Sequence, residues 1–72
     1  MATQSLITLG NTIRKLRKKL GISQEDLAFK AGIHRTYMGD VERGERNIAA
    51  LNIIKIAKAL KVKPSALFEE LG

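Results

Sequence analysis

The chain has 72 residues, 44% of them hydrophobic, and no cysteine, which fits one small globular domain over residues 1–72 and excludes disulfides and cysteine-based metal sites. A formal charge of +6 and a pI near 10.1 make a polyanion the expected partner class, because clustered Lys and Arg bind phosphates by releasing condensed counterions. No apolar run approaches the roughly 18 residues of a membrane span, and Met1 to Leu9 lacks a signal-peptide pattern, so the expected location is cytoplasmic with no membrane partner.

Leu6, Leu9, Ile13, Leu16 and Leu20 recur at steps of three and four, which predicts an amphipathic helix from about Ser5 to Leu20, stopped by Gly21. Gly10 weakens its interior by up to ~1 kcal/mol against alanine, so its first turn is expected to fray. Arg14, Lys15, Lys18 and Lys19 lie off the leucine stripe and read as a solvated face, with a phosphate-facing role for at most one or two of them. Arg17 projects within about 40° of that stripe. A charge held there needs a partner, and Glu42 is the candidate for a hydrogen-bonded pair tying the first helix to the third.

Gln24 to Ala31 reads as a second helix. Ser23 can cap its free amides, Glu25 and Asp26 sit where the helix dipole favours negative charge, and Gly32 ends it. A third helix is predicted from about His34 to Arg43. At about 100° per residue, Met38 and Val41, with Tyr37 at the edge, fall on one side, while Arg35, Thr36, Gly39, Asp40 and Arg43 fall on the other. One side is core; the other is offered to a partner. Two short helices joined by a glycine turn form the unit that lays its second helix in the DNA major groove.

After Gly44, the residues Glu45, Arg46 and Asn47 form a polar loop, and the chain is then apolar from Ile48 to Leu60. Leu51, Ile53, Ile54, Ile56, Ala57 and Leu60 cover well over half of a helix circumference, whereas a surface helix needs an apolar arc of about 100° for its own core. The excess calls for a second surface. Pro64 suits the first position of a last short helix, Pro64 to Leu71. Ile53, Ile56, Leu60, Val62, Leu67, Phe68 and Leu71 are accordingly the expected interface of a homodimer.

The run SQEDLA, then AG, an apolar residue, RTYM and VERG resembles the helix-turn-helix of the Cro and lambda-repressor-like (Xre) family of bacterial and phage regulators, over about Leu9 to Leu71. Within that family, HRTYMGDVERGERN followed by an apolar helix is most similar to the controller proteins of restriction-modification systems. The resemblance implies an all-α, compact five-helix DNA-binding domain acting as a dimer on a pseudo-palindromic operator. It implies an ion pair at Arg17 and Glu42, and a phosphate contact by Gln24, which in some relatives also braces the recognition helix. The loop bearing Arg43, Arg46 and Asn47 is implied to grip the DNA backbone. Many relatives carry Ser or Thr before the last proline; Lys63 stands here instead, so the last helix should start less firmly. Controllers repress or activate their own gene and the linked endonuclease gene, in some settings touching RNA polymerase. The alternatives are a phage-type repressor and an antitoxin-type subunit that holds a protein partner with its apolar helix.

Convergent titratable groups are missing, so catalysis, a metal, a cofactor and a small-molecule ligand are all unexpected. Glu69 and Glu70 are adjacent on a helix and point apart. His34 is either a cap, a phosphate contact or, preferably, a plain surface residue. For base readout the candidates are Arg35, whose fork matches guanine O6 and N7, and Thr36, which offers a hydroxyl and a methyl. Tyr37 either reaches a phosphate or packs as a half-buried ring. Gly39 on the outer face would let the backbone approach the groove. Asp40 either accepts from cytosine N4 or, preferably, pairs with Arg43. Asn52 is a further possible contact.

Overall fold

The computed structural model describes residues 3–71. It places α1 at Gln4–Lys19, α2 at Gln24–Ala31, α3 at Arg35–Glu42 and α4 at Ala50–Ala59, followed by a terminal 3-10 helix at Pro64–Leu71. Among the described residues there is no strand. The described residues form an all-helical architecture with five helices, as the family resemblance implies.

All four α-helices close in the same way. Past each end, one amide returns to the carbonyl three residues back and the next amide to the carbonyl five residues back, as in Gly32 to Phe29 (3.1 Å) and Ile33 to Ala28 (2.9 Å). The motif needs a left-handed residue at the first of these positions. Glycine supplies it at Gly21, Gly32 and Gly44, but α4 uses Lys61, with φ 62°. A side chain with a Cβ is strained there by roughly 1–2 kcal/mol.

The starts differ more. Thr3 accepts from the Leu6 amide at 3.3 Å and Ser23 forms a reciprocal capping box with Asp26, whereas Ala49 gives α4 no side-chain cap. The last helix is of the 3-10 type rather than α, and the Ala66 amide bonds the Lys63 carbonyl at 2.9 Å. Lys63 provides no side-chain oxygen to hold a wider first turn.

One core joins the helices: Leu9 and Ile13 of α1, Leu27 and Ala28 of α2, Met38 and Val41 of α3, Ile56 and Ala57 of α4, with Ile48, Leu60 and Leu67. The terminal helix packs on α1 and α4, while α2 packs on α3 and α4. This core corrects part of the interface expected from sequence. Ile56 and Leu67 are 0% exposed and Leu60 2% exposed within a single chain. They are already spent on the chain's own interior and have no surface to give to a second copy.

Gly10 is also revised. A Cβ built on it would lie 2.5 Å from the Val41 carbonyl oxygen and 2.6 Å from that of Glu42. Its missing side chain lets α1 pass directly over the end of α3. What the helix loses in propensity is offset by that close approach, and the first turn is held by Thr3.

Candidate nucleic-acid interface

The recognition face is held in place from beneath by a buried carboxylate. Glu42, 1% exposed, accepts from Arg17 Nε at 2.8 Å, Arg17 Nη2 at 3.1 Å and Gln24 Nε2 at 3.0 Å. Arg17 also donates from Nη1 to the Ile22 carbonyl at 3.0 Å, and Arg14 Nε lies 3.7 Å from Glu42. A buried charge is tolerated only when paired and hydrogen-bonded. Here the network fastens α1 and α2 to α3, with Arg17 and Glu42 meeting as their positions on the helical wheel indicate.

Above that network the outer side of α3 faces solvent. Arg35 and Thr36 are exposed, and Arg43, Arg46 and Asn47 follow on the exposed loop. A cleft lined by Ser23, Gln24, Glu25, Arg35, Thr36 and Arg43 separates the start of α2 from α3. Gln24 is half-buried and its amide nitrogen is committed to Glu42. In this state Gln24 is a brace between the two motif helices.

His34 caps α3, its Nδ1 accepting from the Thr36 amide at 3.1 Å. The preference for a plain surface residue is therefore corrected: the ring lone pair satisfies an amide that the first turn leaves orphaned. Gly39 is corrected too. It is buried, with Gln24 Oε1 3.3 Å and Arg43 Nη1 3.2 Å from where its Cβ would be. Two long side chains fold over it, so its backbone is not open to a groove.

Tyr37 takes the packing reading. The half-buried ring packs on the core and carries the Arg46 guanidinium 4.8 Å above its centroid, while the hydroxyl accepts from the Ala49 amide at 3.3 Å. That bond leaves the hydroxyl proton unused. Asn52 is half-buried on the first turn of α4.

Every arginine of this face is matched by a carboxylate. Arg35 Nη1 bonds Glu25 Oε2; Arg43 bonds Asp40 at 2.6 Å and Glu45 at 2.9 Å; Arg46 bonds Asp40 at 3.1 Å. Arg43 holds its proton more firmly than an ordinary arginine, first through the hydrogen bond to Glu45, against some desolvation, and then through the charges of Glu45 and Asp40. The spacing of Asp40 and Arg43 along α3 predicts their pairing, whereas that of Glu25 with Arg35 and of Glu45 with Arg43 has no such signal. Glu25 was legible only as a first-turn acid of α2; its meeting with Arg35 depends on the angle between α2 and α3.

Beyond the motif lie Leu51 at 71% exposure, Ile54 at 51%, and Phe68 and Leu71 at 39% and 37%. Leu51 and Ile54 were missed as interface candidates. The signal was present: α4 carries two apolar rows, Ile53, Ile56, Ala57 and Leu60 toward the interior and Leu51 with Ile54 on the outside.

Comparison with known proteins agrees with this geometry. A helix-turn-helix family model matches residues 13–67. The control protein C.BamHI of Bacillus amyloliquefaciens is 44% identical over 70 residues, which are 96% of this chain and 86% of that protein. The crystal structure of the restriction-modification controller C.AhdI from Aeromonas hydrophila superposes with a TM-score of 0.90 at 47% identity, over 92% of this chain and all (100%) of that one. The controller C.Esp1396I, solved as a tetramer with its natural 35 base-pair operator, matches with a TM-score of 0.85 at 36% identity, over 96% of this chain and 91% of that one. The likeness spans nearly full length on both sides, which favours a controller over the phage-repressor and antitoxin alternatives. The chain belongs to the helix-turn-helix family of DNA-binding transcription regulators, among the restriction-modification controller proteins.

Proposed function

We propose that this controller acts as a homodimer in the cytoplasm, laying α3 of each copy in successive major grooves of a pseudo-palindromic operator, and so sets transcription of its own gene and a linked endonuclease gene. The carrying observation is the uncovered outer side of α3, with Arg35 and Thr36 exposed at its start over a buried Glu42 network that fixes their position. Arg35 reads guanine and Thr36 an adjacent base edge. Tyr37, Arg43, Arg46 and Asn47 contact the backbone, which sets register without carrying sequence. Gln24 holds α2 and α3 at the angle this needs.

The exposed apolar surface of Leu51, Ile54, Phe68 and Leu71, extended by the half-buried Ile53 and Val62, supports pairing of two copies. Pairing sets the recognition helices one DNA turn apart, about 34 Å. A dimer over the promoter excludes RNA polymerase; one beside it offers a contact that recruits the enzyme. Selection of bound fragments from random DNA tests the reading. Inverted half-sites with centres about one turn apart support it, and enrichment of no common sequence, or of a single unpaired half-site, contradicts it.

A further inference from the structure

The three arginines proposed for the DNA-facing side are already paired with acids of the same chain. Arg35, Arg43 and Arg46 face Glu25, Asp40 and Glu45, so their formal charges cancel, and the whole net charge of +6 lies outside the cluster. Asp40 differs from the other two acids. It lies in the last turn of α3, its side chain is 22% exposed, and its two oxygens bind two different arginines, Oδ1 to Arg43 at 2.6 Å and Oδ2 to Arg46 at 3.1 Å. Arg46 is held a second time by the Tyr37 ring.

We propose that Asp40 is a specificity-determining residue that both repels non-cognate phosphate backbone and holds Arg43 and Arg46 in the one arrangement that an operator's phosphates fit. This rests on the DNA-binding reading above. The two effects fall differently on the two kinds of DNA. Repulsion by the Asp40 carboxylate weakens binding to any duplex, because non-specific affinity is almost wholly electrostatic. Preorganisation helps only the operator complex, in which base contacts fix where the phosphates sit and a guanidinium already in place loses less freedom on binding. Asp40 thus lowers non-specific affinity while leaving operator affinity nearly unchanged.

The test is Asp40→Asn, which keeps size and one acceptor oxygen but removes the charge. Binding of wild type and variant to the selected operator and to a scrambled duplex is measured across a salt series. The expected result is a rise in scrambled-duplex affinity of about 5- to 10-fold near 0.1 M salt, with its log-log salt slope steeper by about 0.9, the equivalent of one more phosphate. Operator affinity rises less, so the specificity ratio falls. Thermal unfolding checks the fold, and Asp40→Ser repeats the measurement if the asparagine variant is unstable.

Equal changes on both duplexes, or none on either, overturn the proposal. So does a loss confined to the operator with relaxed preference at one base pair, which would make Asp40 a base reader. These outcomes are distinct from failure of the DNA-binding reading, in which wild type itself selects no operator.

Discussion

Arg35 and Arg17 are the same residue type put to opposite uses by their surroundings. Arg35 is well exposed, and its ion pair with the similarly exposed Glu25 is of the surface kind that contributes about 0–1 kcal/mol. It opens readily, and the fork is then available to a base. Arg35→Ala is expected to cost about 1–3 kcal/mol at the operator and to relax preference at one base pair, measured by titrating single-substitution operators; equal loss on every sequence would place Arg35 on the backbone instead. Arg17, with 12% of its side chain exposed against a fully buried Glu42, is structural. Truncating one partner of such a pair costs about 3–5 kcal/mol because the other charge is stranded. Arg17→Ala should therefore lower the unfolding midpoint sharply in denaturant; a loss under about 1 kcal/mol would contradict this and show that Arg14 and Gln24 suffice for Glu42. Arg17 and Glu42 were legible from the sequence because each combines a charge with an inward-facing helical position. The partners of Arg35 and Arg43 were not, since exposed charges have no position that demands a match.

At the scale of the helix, the ends and crossings matter more than propensity. Gly10→Ala improves intrinsic helicity, yet a Cβ there meets two backbone oxygens that cannot rotate away. The substitution is expected to destabilise the fold by about 1–3 kcal/mol, as overpacking does; a stabilised variant in a urea titration would show that α1 is free to shift off α3. Lys61 presents the reverse case. Lys61→Gly relieves a left-handed lysine at the end of α4 and should stabilise by up to about 1 kcal/mol, the relief being partly offset by the greater freedom of glycine in the unfolded chain. A lower melting temperature would contradict this. The helix positions themselves were readable from apolar spacing and glycine stops, and α2 was legible to the residue. The close approach at Gly10 was not, because a glycine in a helical pattern looks the same whether it weakens a turn or admits a neighbouring backbone.

For the whole molecule, the question is which apolar surface the fold leaves over. The excess on α4 was visible in the sequence, but its division between core and exposed surface depended on how α4 lies on α2 and the terminal helix. Ile56, Leu60 and Leu67 went inward; Leu51 and Ile54 stayed out. Ile54→Glu should give a folded monomer by sedimentation, with operator affinity reduced about 10²- to 10⁴-fold as the second half-site ceases to be held in tandem. A variant that remains dimeric would move the interface away from α4.

In the proposed complex α3 of each copy lies in a major groove. Methylation interference on the selected operator tests it most directly, because dimethyl sulfate modifies guanine N7 in the major groove and adenine N3 in the minor groove. Guanine N7 methylation is expected to block binding at two symmetric clusters about one helical turn apart on one side of the duplex. Interference confined to adenine N3, or to a single cluster, would contradict it.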